Sequence, residues 1–211
     1  SGRVGYDRDN VEPHQRRTYV HHALYPDHIP SYVKKMEFGP TEYVTIDFAT
    51  EISWSRFGHS KELSNVISSL SKDIEKINGI PVAPLRINAL DCMLHAFREA
   101  YFAGEHWNNS GVFLKNLLDT ALILQKMTEN EWTILKGELS GINVAGPIGW
   151  LLHHLDDLFT TNFSESITPL FSGDPIDHES FEDKMQIKRI WPGNMFERLS
   201  SESPVQYMLK Q

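Results

Sequence analysis

The N-terminal part of the chain contains two segments with the pattern of β-strands. Segment 17–25 is rich in β-favouring residues and stops before a proline. Segment 42–49 alternates, with one side made of Val44, Ile46 and Phe48. The stretch between the two segments holds Pro26, Pro30, Gly39 and Pro40, which predicts a loop. We therefore predict two neighbouring antiparallel strands in this region.

From about residue 60, apolar residues recur at helical spacing. The first predicted helix is capped by Ser60, includes Ile74 and Ile77, and ends at the Asn78-Gly79 pair. A second helix is predicted from Asn88 to Gly104. Glycine and asparagine at these ends suit helix stops and starts, because they tolerate the conformations that end a helix or satisfy its free backbone groups.

Three further helices complete the pattern. One begins near Asn109 or Ser110 and reaches Leu124, and one begins at Thr128, where Glu131 completes a capping box. After the chain breaks at Gly146-Pro147, a last helix carries Ile148, Leu151, Leu152, Leu155, Leu158 and Phe159. Because the connections are short, the helices are expected to form an antiparallel helical bundle.

The C-terminal part has a weaker pattern. Residues 160–183 are polar and contain two prolines, which predicts a loop or linker, and apolar residues return from Ile187 to Leu199. The expected fold class is α+β, with a small strand-rich N-terminal region followed by an antiparallel helical bundle. The expected domains are 1–58, 59–160 and 161–211.

Charge and composition narrow the range of partners. The chain has 211 residues and a formal net charge of −8, which argues against general binding to nucleic acid or to an anionic membrane. No apolar run approaches the roughly 18 residues of a membrane helix. Cys92 is the single cysteine, so no intramolecular disulfide or multi-cysteine zinc site can form. A cytoplasmic location fits this composition.

Asp47 is the most suggestive candidate for chemistry. It interrupts an apolar strand, and a carboxylate on a rigid strand suits Mg²⁺, which prefers hard oxygen ligands in fixed positions. A solvent-facing aspartate is the other interpretation. The preceding segment contains His21-His22, and one of the pair could orient Asp47 or act as a general base. We take His22 as that candidate; a surface histidine pair is the alternative.

Other polar clusters are open to a structural and a functional interpretation. Asp7-Arg8-Asp9 has the spacing of a two-carboxylate metal site but lacks an apolar strand around it. On the last predicted helix, His153 shares a face with both Asp156 and Asp157, which favours either a metal site lacking an evident third ligand or a solvated helix face. His95 and Asp119 lie beside apolar helix stripes, and Cys92 is expected to act as a small hydrophobe.

No complete enzymatic motif is present, but several segments in order resemble a known family. They are the strand with paired histidines, the strand around Asp47, the Leu-x-x-His helix at 90–96, the Leu-Leu-Asp-x-Ala-Leu helix at 114–124, and the basic-apolar run at 187–192. Their order is similar to that of the uncharacterised nucleotidyltransferase family within the DNA polymerase β-like superfamily. The likeness spans roughly residues 18–199.

This resemblance implies a mechanism and a cofactor. In that superfamily three carboxylates hold two Mg²⁺ ions, and an NMP passes from an NTP, here expected to be ATP, to a hydroxyl of a small-molecule or protein acceptor. Asp47 matches the third carboxylate. The Gly-Ser turn and the Asp-x-Asp that carry the first two have no match in this sequence. We therefore expect either a C-terminal piece of a longer protein or a shortened relative, and no catalysis by this chain alone.

Two functions from other classes are alternatives. The chain could be a non-catalytic helical-bundle binding module for a protein or small-molecule partner, which an exposed apolar patch on the helices would support. It could also be a metal-dependent hydrolase that uses the histidine pairs. Bound zinc or iron at His21, His22, His153 or His154 would support that alternative.

Overall fold

The structure is a computed structural model that describes residues 28–35, 43–49, 73–102, 114–182, 187–191 and 194–200. The chain divides into two compact units, Ser1–Ile52 and Ser53–Gln211, and each is described by itself. The described residues are mostly helical, with a few short antiparallel strands. None of the described helices is long and apolar enough to cross a membrane.

In the first unit, strand β1 (His28–Lys35) pairs antiparallel with strand β2 (Tyr43–Ala49). The predicted strand at 42–49 is confirmed as β2. The predicted loop is wrong at His28–Lys35, where the chain forms the strand that pairs with it. The pairing register shifts between Ile29 and Tyr32, so the proline of β1 falls at an irregularity, where a missing backbone donor is tolerated. Segment 17–25 lies outside the described residues.

The second unit opens with a tight hairpin rather than the end of a helix. Strands β3 (Glu75–Ile77) and β4 (Ile80–Val82) pair antiparallel around Asn78 and Gly79. Both turn residues have positive φ, 53° and 81°, as a type I′ hairpin turn requires. The prediction of a helix reaching this point is therefore wrong for Glu75–Ile77, because Asn-Gly here turns a hairpin instead of ending a helix. The rest of that predicted helix, residues 60–72, lies outside the described residues.

Four longer helices follow among the described residues, and all four were expected from the periodicity. They are α1 (Leu85–Tyr101), α2 (Leu114–Leu124), α3 (Glu129–Glu138) and α4 (Ala145–Phe159). The capping box of Thr128 and Glu131 is present at the start of α3. Helix α1 begins three residues earlier than predicted, and the Asn88 side chain donates back to the Ala83 carbonyl at 3.1 Å. Helix α4 includes Gly146-Pro147, since proline is tolerated in a first helical turn.

The core lies between α1 and α4. Fully buried apolar side chains come mainly from these two helices, with contributions from the helices beside them: Leu90, Met93, Leu94, Phe97, Leu117, Leu135, Ile148, Trp150, Leu151, Leu152 and Leu155. The Phe97 and Trp150 rings meet edge to face with centroids 5.5 Å apart, an arrangement favoured by the ring quadrupoles. Helix α1 contacts α2, α3 and α4.

The segment after α4 is ordered, so the prediction of a loop or linker over 160–183 is wrong for much of its length. It contains α5 (Phe163–Ile167), a 3₁₀ turn (Thr168–Leu170) and β5 (Ser180–Glu182). Buried Ile167 and Phe181 tie the segment to the core despite its polar composition. Strand β5 pairs antiparallel with β6 (Lys188–Ile190), and α6 (Met195–Ser200) follows, which confirms the order signals of the tail.

Candidate functional site

Asp47 lies on β2 opposite an irregular point in the partner strand. Ile29 pairs with Phe48, and the next pair along the ladder is Tyr32 with Ile46. Between these two pairs, β1 has two residues, Pro30 and Ser31, whereas β2 has one residue, Asp47. This two-against-one pattern is that of a β-bulge, a feature often found beside functional sites because it changes the direction of neighbouring side chains.

The other candidates of the N-terminal region cannot be located in the same way. His22, His21, Asp7 and Asp9 lie outside the described residues. The strand position of Asp47 is confirmed, and its roles as metal ligand and catalytic residue stay predictions.

The second candidate site is a histidine and aspartate cluster on α4. One ring nitrogen each of His153 and His154 and one carboxylate oxygen of Asp157 all lie within 4.8 Å of one another. The helix creates this grouping, because Asp157 is four residues from His153 and three from His154 and so lies beside both. The sequence predicted the pairing of His153 with the aspartates and named His154 as a possible zinc or iron ligand, but it did not place these residues together in one three-ligand group.

His154 is the buried member of the cluster. It is 5% exposed, and its ring meets the Trp150 ring at a centroid distance of 4.3 Å. Its Nε2 lies 2.9 Å from the His178 carbonyl oxygen, so Nε2 carries the proton and donates it there. Burial, followed by the positive charge of Arg198, lowers the pKa of His154 to about 3. His154 is therefore neutral at physiological pH.

His178 approaches the cluster from the segment between the 3₁₀ turn and β5. Its ring stacks on the His153 ring at a centroid distance of 4.0 Å, with the planes 13° apart. Burial, together with the nearby His153, lowers the pKa of His178. His178 is not among the site residues predicted from the sequence, because it lies in a segment predicted to be a loop and no periodicity connects it to α4.

A cleft of about 340 Å³ opens beside the cluster, lined by His153, Trp150 and His178 together with small residues of α4 and the facing segment. The glycines of α4 allow this close approach. A Cβ at Gly146 would lie 2.5 Å from the Asp174 carbonyl oxygen, and one at Gly149 would lie 2.9 Å from Thr168 Cγ2. The cleft therefore depends on backbone contact between α4 and the segment after it.

Asp156, the other aspartate of the predicted pair, has a structural role. It accepts hydrogen bonds from the backbone N–H groups of Phe163 at 2.7 Å and Ser164 at 2.8 Å, and from the Thr161 hydroxyl at 2.6 Å. Burial by itself raises its pKa, but these hydrogen bonds outweigh burial and lower the pKa of Asp156. Its oxygens thus already accept hydrogen bonds at the start of α5, so Asp157 is the better candidate of the two aspartates for a ligand beside His153.

The polar residues on α1 and α2 also have local partners. His95 Nε2 lies 3.0 Å from Glu99 Oε1, and this hydrogen bond raises the pKa of His95. Asp119 is exposed and forms an ion pair with Lys115. Burial raises the pKa of the Cys92 thiol, which suits a small apolar residue better than a reactive one.

Comparisons with known proteins find no matching family model, no matching curated protein and no matching solved structure.

Proposed function

We propose that the chain is a nucleotidyltransferase-like protein that binds a nucleotide, with Asp47 as its recognisable metal carboxylate. The observation that supports this best is the position of Asp47 on β2, opposite the bulge in β1. A rigid strand beside a bulge is a suitable support for a ligand carboxylate. The helices α1 and α2 also fall on two of the segments that carry the family resemblance.

The residues present do not complete the metal site of the superfamily. Two Mg²⁺ ions require several carboxylate oxygens at fixed positions, and Asp47 supplies one carboxylate. Transfer of an NMP from ATP or another NTP to a small-molecule or protein hydroxyl would require an Asp-x-Asp segment with a preceding Gly-Ser turn. The proposal for this chain is therefore nucleotide binding. We also propose that the helices form an antiparallel bundle and that the protein is located in the cytoplasm.

Thermal unfolding with ATP, GTP, CTP or UTP and Mg²⁺ tests the nucleotide site. A nucleotide at about 100 times its Kd stabilises the fold by roughly 2.7 kcal/mol, which is several degrees for a chain of this size. We expect this shift to disappear in Asp47→Asn and to persist in Asp174→Asn, which changes an exposed carboxylate outside the segments of the resemblance. Absence of a shift with all four nucleotides would contradict nucleotide binding.

A non-catalytic binding module is the second candidate, and a row of exposed leucines on α2 favours it. Leu114, Leu118 and Leu122 follow one another at four-residue intervals and are 53%, 42% and 49% exposed. This spacing puts them on one face of the helix, whereas the adjacent Leu117 is fully buried. A continuous apolar row at a surface is typical of a docking site for a partner.

A matched pair of variants tests whether the leucine row is exposed to solvent or covered by other parts of the chain. We expect Leu117→Ala to lower the free energy of unfolding by about 2–5 kcal/mol and Leu118→Ala to change it by less than about 0.5 kcal/mol. Chemical denaturation measures both values. A loss in Leu118→Ala as large as that in Leu117→Ala would mean that the chain itself covers the row, and the binding-module proposal would then be wrong.

A further inference from the structure

We propose that His153, His154 and Asp157 form a binding site for one divalent transition-metal ion of the Zn²⁺ type, at the edge of the cleft beside α4. This proposal is independent of the nucleotide site, because it uses different residues and a different class of metal. Zn²⁺ accepts imidazole nitrogen and carboxylate oxygen, whereas Mg²⁺ prefers oxygen ligands alone.

His154 provides the strongest support. Its Nε2 donates to the His178 carbonyl oxygen, so its Nδ1 holds the free lone pair. Nδ1 is buried and has no hydrogen-bond partner among the described residues. A buried acceptor without a partner costs free energy, so the site needs an explanation, and a metal ion would supply the missing partner.

The hydrogen bond of His154 also matches the surroundings of metal-binding histidines. Such histidines usually donate the N–H of their second ring nitrogen to a carbonyl or carboxylate oxygen, which fixes the tautomer and the ring orientation. In this chain the His178 carbonyl has that position, and the His178 ring stacks on His153. Two of the three proposed ligands are thus oriented by the same neighbouring residue.

The other two ligands are partly exposed, so the Asp157 side chain in particular has room to approach an ion beside the stacked His153 ring. His153 Nε2 and Asp157 Oδ2 are 3.8 Å apart, too far for a hydrogen bond, and their side chains are 40% and 50% exposed. In a tetrahedral zinc site the ligand atoms are about 3.3 Å apart, as follows from metal–ligand distances near 2.0–2.1 Å. One ring nitrogen of each histidine and one Asp157 oxygen now lie within 4.8 Å of one another, so these atoms need to approach by up to about 1.5 Å, which the exposed side chains can do by rotation.

Three protein ligands leave a coordination position open. His153 lines the cleft, so an additional ligand such as water would reach the ion from there. Sites with three protein ligands and one open position are typical of zinc that takes part in chemistry, whereas structural zinc sites are closed by four.

Calorimetric titration of the metal-free full chain with Zn²⁺ tests the site. We expect one equivalent to bind, and we expect His153→Ala and Asp157→Asn each to weaken binding at least about tenfold. Co²⁺ serves as a second probe, because its visible absorption reports coordination by the same ligands. Both substituted side chains are partly exposed, so the variants are expected to fold, and circular dichroism verifies this.

His95→Ala is the matched control, because His95 also has a carboxylate four residues later but, among the described residues, no third ligand group close to both. We expect it to bind Zn²⁺ with unchanged affinity. The proposal is overturned if Zn²⁺ shows no saturable binding, if His153→Ala and Asp157→Asn bind as tightly as the original chain, or if His95→Ala loses as much affinity as they do. The last result would indicate non-specific binding to surface histidines.

Discussion

Helices α1 and α4 carry the same local pattern, a histidine followed four residues later by a carboxylate, but the two pairs differ in their surroundings. On α1, His95 and Glu99 are 3.0 Å apart, and Glu99 also accepts a hydrogen bond from Asn116 of α2. On α4, His153 and Asp157 are 3.8 Å apart and lie beside His154, whose buried Nδ1 has no hydrogen-bond partner among the described residues.

The difference shows that helical spacing brings two groups together but does not determine their role. The elements packed next to the helix determine that role. The side-chain amide of Asn116 on α2 also donates a hydrogen bond to Glu99, so both groups of the α1 pair have partners within the protein. In the segment after α4, the His178 carbonyl oxygen accepts the Nε2 proton of His154, and Nδ1 has no hydrogen-bond partner among the described residues. The α4 group is therefore the better candidate for binding a ligand.

Of the changes predicted below, removal of Trp150 is expected to lower the free energy of unfolding most, because it disturbs the packing around α4. Its ring packs on His154, and its Nε1 donates to the Ser180 carbonyl oxygen at 3.0 Å. We expect Trp150→Ala to reduce the free energy of unfolding by about 3–5 kcal/mol, measured by chemical denaturation. Trp150→Phe keeps most of the packing and should cost less. Equal losses in the two variants would mean that the hydrogen bond, not the ring volume, dominates.

The next largest loss of unfolding free energy is expected where the segment after α4 approaches the helix closely. In Gly146→Ala the new methyl group would meet the Asp174 carbonyl oxygen, so we expect a loss of about 1–3 kcal/mol in unfolding free energy. Gly137→Ala on α3 is the control, since nothing lies within 4 Å of a Cβ there, and it should stabilise the helix by up to about 1 kcal/mol. If Gly146→Ala also stabilises the protein, α4 and the backbone at Asp174 do not approach each other this closely in solution.

The neighbouring aspartates of α4 provide a third test. Asp156→Ala removes the acceptor for two backbone N–H groups at the start of α5, so we expect it to lower the free energy of unfolding by about 1–2 kcal/mol. Asp157→Ala removes an exposed carboxylate and should change it by less than about 0.5 kcal/mol in metal-free buffer. The same loss in both variants would contradict the division into a structural and a ligand-binding aspartate.

The smallest effect concerns protonation of the α1 pair. The hydrogen bond to Glu99 raises the pKa of His95, so the pair stabilises the fold below about pH 6.5, the unfolded value, and this contribution is lost as pH rises through the folded pKa. NMR titration should show a lower His95 pKa in Glu99→Gln and no change in Asp157→Asn. An unchanged pKa in Glu99→Gln would mean that the ion pair is absent in solution.

The sequence alone predicted the features that depend on local spacing. The periodicities of α1 to α4, the capping box at Thr128 and the strand around Asp47 all reflect contacts within a few residues of one another. The same local argument was wrong at Asn78-Gly79, since this pair suits both the end of a helix and a type I′ hairpin turn. It also missed the order in 160–182, where few apolar residues make decisive long-range contacts.

The candidate metal site depends both on local sequence spacing and on tertiary packing. The sequence by itself brought His153 and Asp157 to one side of a helix, because residues four apart are neighbours in any α-helix. Only the tertiary structure decided that His154 is buried against Trp150, that Asp156 is used at the start of α5, and that His178 approaches from a distant segment. Burial and hydrogen-bond partners between distant segments have no periodic signal, so they follow from packing and not from spacing.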